Sequence, residues 1–273
     1  MRFLIAAIIT LPFLSCAPAP PARPAHQSEA SPATAVAPVP TAPQASASAP
    51  HFITRQISGI TFEGVTFDSR NHRLVVVDQP NGPGSQFADA TAAANSRGGI
   101  AAVNAGFFTP EGTALGLVLS SGKISGAWNT ASSLGSGVWF ESPSGNLGIA
   151  RREKLGRASA SSMHELIQAG PLLIENGQPI FGLEATKTSA RIFILWDGGT
   201  RWWIGRASPC TLSNLGQALA NGSPAGWKIR QALNLDGGRS ADLFVSASVS
   251  GGPFVTRPLW NRPVRNFLVL VAR

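Results

Sequence analysis

The chain of 273 residues carries 22 Lys and Arg against 14 Asp and Glu, a formal charge of +8, with two cysteines, four histidines and no tyrosine. That balance favours anionic partners, and the absence of tyrosine excludes a tyrosine nucleophile or a phenolic acid. A histidine-rich zinc site is also set aside, because only His72 and His164 lie well inside the folded part and they share no ligand spacing.

In chain order, Met1 and Arg2 give a positive end and Phe3 to Leu14 an apolar run broken by Thr10 and Pro12. The run is shorter than the ~20 residues of a membrane-spanning helix and suits a secretory signal. The junction Leu14-Ser15-Cys16 resembles a bacterial lipoprotein box, in which Cys16 carries the lipid; an ordinary signal peptide cut between Ala17 and Ala22 is the alternative. Residues 17–50 are almost wholly Ala, Pro, Ser, Thr, Val and Gln, with no periodicity that buries a core, and read as an extended tether. The expectation is therefore a signal over 1–16, a disordered tether over 17–50 and one domain over 51–273, exported and facing the periplasm or outer envelope. Export sets nucleic acid aside and leaves a glycan or the lipid surface as anionic partner.

Within the domain, Arg73 to Asp78 is a β-branched strand, Gln86 to Ser96 an Ala-rich helix closed by Gly98-Gly99, and Ile100 to Asn104 a buried strand. Hairpins follow: Leu115 to Ser125 turning at Ser121-Gly122, Val138 to Ala150 at Ser144-Gly145, and Ile192 to Ile204 at Asp197-Gly198-Gly199. Thr211 to Asn221 reads as a helix capped by Thr211 or Ser213 and ended by Gly222. Cys210, before it, reads as a buried structural thiol. Arg230 to Asp236 and Val264 to Ala272 are the last strands. The fold class expected is α+β, a mixed, strand-rich sheet core with a few inserted helices.

No Gly-x-Ser-x-Gly elbow is present. Ser120 to Lys123 with Lys187-Thr188-Ser189 resembles elements of penicillin-recognising acyl hydrolases, but that nucleophile opens a helix, whereas Ser120 sits at a hairpin turn. Two strand ends carry the positive signal. IAAVNAGFF delivers Asn104 and then Gly106 before Phe107; ALNLDGGRS delivers Asn234 and Asp236, then Gly237, Gly238, Arg239 and Ser240. Paired glycines after a strand-end carboxylate let backbone N–H groups approach an anion. A tight turn in which Asp236 caps its own backbone is the alternative.

Together these segments resemble the phosphodiester glycosidase family, which includes the enzyme that uncovers mannose 6-phosphate on lysosomal proteins. Asn104 to Phe108 is similar to its Asn-Gly-Gly-Phe-Phe signature with Ala105 for one glycine. Gln168 to Leu173 with Asn176-Gly177, the strand opened by Arg191, the helix from Thr211, and Leu235 to Ser240 are similar to further blocks in the same order. Arg239 stands where the family has a third glycine, and Ile192-Phe193 where it has Thr-Ala. The resemblance implies hydrolysis of a sugar-1-phosphodiester, for example an N-acetylglucosamine-1-phosphodiester, on envelope glycans. It casts Asp236, Arg191 and Asn104 as catalytic. Gln168, Gly106, Phe107, Asn234, Gly237, Gly238, Arg239 and Ser240 would bind substrate. A non-catalytic, lipid-anchored glycan-binding module is the other reading. Metal dependence stays open: Asp236 with Asp242 or Asp78 offers oxygen ligands for one divalent cation, although the spacing demands none. The expected partners are a phosphoglycan substrate and, through Cys16, a membrane; the domain is expected to be a monomer.

Overall fold

The computed structural model describes residues 48–273. The signal segment, Cys16 and nearly all of the tether lie outside the described residues. Three sheets carry the fold. The largest is ordered β1 (His51–Ile57), β2 (Ile60–Asp68), β13 (Arg201–Cys210), β12 (Ser189–Trp196), β14 (Gln231–Asn234), β10 (Leu172–Glu175), β11 (Gln178–Pro179). The second runs β16 (Phe254–Thr256), β15 (Leu243–Val245), β4 (Ala101–Asn104), β17 (Asn266–Ala272), β3 (His72–Asp78). The third runs β6 (Lys123–Ser125), β5 (Val118–Ser120), β9 (Glu165–Ala169), β7 (Gly137–Glu141), β8 (Leu147–Arg151). Helices are short: α1 (Ala90–Asn95), α2 (Arg152–Leu155), α3 (Arg157–Ala160) and α4 (Leu212–Asn221).

The α+β, strand-rich reading holds. Its mixed sheet resolves into ladders that are all antiparallel between the named strands, and the parallel pairing is a lone bridge between His51 and Ser250.

Strand alternation decides which face each side chain serves. In β12, Ile192 and Ile194 enter a central core shared by all three sheets, whereas Phe193 and Leu195 pack on the other face with Leu215 and Leu219 of α4. In β17, Leu268 and Leu270 enter that central core, and Phe267 and Val269 pack against Ala90, Ala93 and Ala94 of α1. The third sheet adds Val118, Trp139, Ile149 and Ile167 to the centre. The two strand ends that matter, those of β4 and β14, therefore belong to different sheets that close on one core.

Local chemistry explains where elements depart from expectation. The helix expected from Gln86 starts only at Ala90. Asp89 caps it, its Oδ1 accepting from the Ala92 N–H at 2.8 Å, while the N–H groups of Gln86 and Phe87 are held by Gln79 Oε1, each at 2.8 Å. Thr211 supplies the cap of α4 through Asn214 N–H at 3.1 Å. Ser120 does lie at a hairpin turn, and its hydroxyl donates to the Val76 carbonyl at 2.6 Å. The thiol of Cys210 is buried, and desolvation pushes it up to about 11, as expected of a structural cysteine. No helix among the described residues is long and apolar enough to cross a membrane.

Strands β2 and β13 pack closely at Gly64. A Cβ there would lie 2.3 Å from Trp203 Cζ2 and 2.4 Å from the Ile204 carbonyl oxygen. Overpacking of this kind typically costs ~1–3 kcal/mol. Gly64→Ala is expected to lower unfolding free energy by about that much in urea titration; an unchanged midpoint would show that β2 and β13 are not packed this closely.

Candidate active site

The ends of β4 and β14 are joined by the chain's own backbone and by one amide. The Asp236 N–H donates to the Ala105 carbonyl at 2.8 Å, which carries β14 out of its sheet and onto the end of β4. The side chain of Asn104, fully buried, donates from Nδ2 to the Asp236 carbonyl at 2.7 Å and accepts at Oδ1 from the Asp242 N–H at 2.9 Å. One side chain thus holds both ends of the loop 236–242. Gly237 is required by closeness, since a Cβ there would lie 2.5 Å from the Ala190 carbonyl oxygen, and Gly238 by its φ of +62°. Ala105 is fully buried.

Asp236 is 8% exposed, and its Oδ2 has no hydrogen-bond partner. Burial pushes its carboxyl up to about 6, against the opposing effects of the Ser240 hydroxyl, the Arg262 guanidinium and the Gly237 N–H. A buried carboxylate oxygen left unpaired is costly unless something else meets it. Arg262 is exposed, with its Nε 3.4 Å from the Ser240 hydroxyl oxygen and its guanidinium 4.7 Å from the Phe108 ring centroid, a cation–π seat. Its backbone N–H donates to the Arg239 carbonyl at 3.3 Å. Arg239, also exposed, donates from Nε to the Trp260 carbonyl at 3.0 Å. One cationic side chain, Arg262, therefore acts on the buried carboxylate, and Arg239 lies next to Arg262 through its backbone carbonyl. Arg262 carries no signal in the sequence, because it lies in a Pro-rich loop far along the chain, where spacing gives no link to Asp236.

The remaining expected residues divide. Around the same strand ends, Gly106 N–H donates to Asn266 Oδ1 at 2.6 Å, and Phe107 packs half-buried on the central core. Asn234 donates to the Gly170 carbonyl at 2.8 Å, leaving its buried Oδ1 unpaired. Gln168 departs from the expected sugar-binding role. Its amide accepts from Leu117 and Asn129 N–H and donates to the Asn129 and Gly135 carbonyls, at 2.7–3.0 Å. That uses the full capacity of a side-chain amide, so Gln168 fastens loops and has no bond left for a sugar.

Arg191 also departs from expectation. Alternation places its side chain with Phe193 on the α4 face of the sheet. There its Nε donates to the Cys210 carbonyl at 2.9 Å, and a terminal nitrogen lies 3.7 Å from Glu184. No ion pair joins it to Asp236 among the described residues; its Cα lies 3.3 Å from where a Gly237 Cβ would stand. The carboxylates considered for a cation are likewise dispersed. Asp78 pairs with Arg265 at 2.9 Å. Asp242 accepts from Ala90 N–H at 2.9 Å and faces Arg257 at 3.4 Å, while burial raises it to about 6. Among the described residues no three His, Cys, Asp or Glu side chains are grouped to hold a metal.

The model of the phosphodiester glycosidase family matches residues 97–271. The chain belongs to that family. The match takes in both strand ends, the loop 236–242 and Arg262. No curated protein matches the chain in sequence. In fold it is similar to the catalytic domain of zebrafish N-acetylglucosamine-1-phosphodiester alpha-N-acetylglucosaminidase auto-inhibited by its pro-peptide, at 18% identity and a TM-score of 0.57 over 82% of this chain and 83% of that one. A hypothetical protein from Synechocystis (17%, TM-score 0.53, 82% of this chain and 61% of that one) shares the fold. So does a Burkholderia pseudomallei protein described as exported (12%, TM-score 0.53, 78% and 74%).

The state of Asp236 has a thermodynamic consequence. Folded, it keeps its proton up to about pH 6; unfolded, only to near 3.8. Between those values the folded state binds more protons, so stability falls as pH rises through that window. Asp236→Asn removes this cost. It is expected to be more stable than wild type by about 1–3 kcal/mol at pH 7, since each tenfold change in proton affinity on folding is worth ~1.4 kcal/mol, with the difference closing near pH 4. Urea unfolding across that range checks it; a variant less stable at pH 7 than wild type would contradict the buried, unpaired carboxylate.

Proposed function

We propose that the domain hydrolyses sugar-1-phosphodiesters, cutting between the anomeric carbon and the phosphate oxygen. The observation that supports this most is the buried carboxylate of Asp236, its Oδ2 unpartnered, with the exposed guanidinium of Arg262 acting on it and Arg239 alongside Arg262. Family membership over residues 97–271 supports the reaction class.

The chemistry follows from the leaving group. A phosphomonoester departs far more readily than an alcohol, so the raised-pKa acid that an ordinary glycosidase uses to protonate its leaving oxygen can be replaced by cations on the phosphate. Arg262, seated on Phe108 and beside Ser240, takes that role in place of Arg191, with Arg239 next to it. Asp236, mostly ionised above its pKa of about 6, faces the anomeric carbon and stabilises positive charge developing there, or bonds to it. Asn104 is a positioning residue: it sets Asp236 through the backbone of the loop. Substrate is an envelope phosphoglycan, which fits an exported protein held at a membrane by Cys16.

The test is kcat/KM on sugar-1-phosphodiesters with leaving groups of graded acidity. Losing one preorganised electrostatic contact typically costs ~10²–10³ in rate. Asp236→Ala should lose about that much on every substrate. Arg262→Ala should lose most where the leaving group is poor and little where it is an activated aryl phosphate. Equal sensitivity of the two variants would reject the division of labour. Binding without turnover in wild type would favour the glycan-binding module.

A further inference from the structure

Loop 257–263 is pinned at both ends, yet its tip is apolar and bare. At one end Arg257 donates to Asp89 Oδ2 at 3.1 Å, to the Ala88 carbonyl at 3.2 Å and to Asn261 Oδ1 at 2.7 Å, and it faces Asp242. At the other, Arg262 rests on Phe108 and Ser240, and a Cβ on Gly84 would come within 2.7 Å of Pro263. Between these anchors Leu259 is 99% exposed and Trp260 79% exposed. Single exposed apolar side chains are ordinary. Two adjacent ones on a loop held this firmly, and next to a buried carboxylate, are not explained by packing.

The geometry points to an aglycone subsite built from Leu259 and Trp260, which selects phosphodiesters whose second ester carries a hydrocarbon chain. The inference rests on the glycosidase reading of Asp236. The order of groups along the surface carries it. Asp236 is buried, Arg262 acts on it and rests on Ser240, the Arg262 N–H binds the Arg239 carbonyl, and Arg239 binds the Trp260 carbonyl, so the exposed tip adjoins the two arginines. With its sugar on Asp236 and its phosphate on Arg262, a substrate would carry its remaining ester group toward solvent, where the exposed tip is available to it. An indole and an isobutyl group, both exposed, offer apolar area with a single side-chain polar group, the indole N–H. That suits methylene groups better than the hydroxyls of a polar alcohol. In sequence, residues 259 and 260 carry no signal that ties them to Asp236.

The experiment uses the full chain and a series of sugar-1-phosphate n-alkyl esters, methyl to hexyl. Full transfer of a methylene from water is worth roughly four-fold; contact on one side only should give about two-fold per methylene, hence about 30-fold between hexyl and methyl in kcat/KM. Trp260→Ala and Leu259→Ser, which keep the backbone carbonyl that Arg239 binds, should each bring that ratio down several-fold, and the double variant close to one. A flat wild-type series, or a ratio the variants leave unchanged, overturns the subsite. Calorimetric affinities for the same esters separate the two claims. A chain-length slope in binding with no cleavage would sink the glycosidase reading and leave the subsite standing, whereas cleavage with flat affinities would do the reverse. If the tip instead serves a bilayer, the series will be flat while sedimentation with phosphatidylglycerol vesicles weakens in the double variant, and the proposal fails.

Discussion

The fully buried amide of Asn104 is the interaction on which the site depends. It bonds the backbone at both ends of loop 236–242, at the Asp236 carbonyl and the Asp242 N–H, and it does so from the last residue of a strand in a different sheet. Because β4 and β14 both close on the central core, that amide converts the packing of two sheets into the position of one carboxylate. The glycines that follow are consequences: with the loop drawn this tightly against β12, Gly237 leaves no room for a side chain.

The same arrangement sets the electrostatics. Burial raises Asp236, and Ser240, Arg262 and Gly237 only partly offset it. Asp242, on the same loop, is raised as well, but its charge is met by Arg257 and by the N–H that opens α1. Both carboxylates, six positions apart, keep one buried oxygen without a partner; they differ in that the other oxygen of Asp242 ties the loop to α1 and Arg257, whereas Asp236 lies beside Ser240 and Arg262. A domain that holds an unpaired acceptor in its interior gives up stability for it, which is common where function demands it.

Much of the architecture is legible in the sequence because strand alternation and turn chemistry are local. The β-branched run of β3 and the hairpins at Ser121-Gly122, Ser144-Gly145 and Asp197-Gly198-Gly199 stand where pattern places them. The site is half legible. Asn104, Asp236, Gly237 and Gly238 can be found because a strand end before paired glycines is a local signal. Gln168 and Arg191 mislead for one reason. A buried polar side chain in a strand looks functional in sequence, and only the fold shows that Gln168 spends its amide on loops or that Arg191 lies on the α4 face. Arg262 and Trp260 are invisible because their relation to Asp236 exists only once β17 has brought the loop before it alongside.

The central claim is that the carboxylate side of this site meets a sugar carbon while the guanidinium side meets phosphate. Cleavage of a sugar-1-phosphodiester in water enriched in heavy oxygen tests it most directly, with mass spectrometry of both products. Attack at the anomeric carbon predicts the label in the sugar hydroxyl and an unlabelled phosphomonoester. Label in the phosphomonoester would mean attack at phosphorus and would contradict the account.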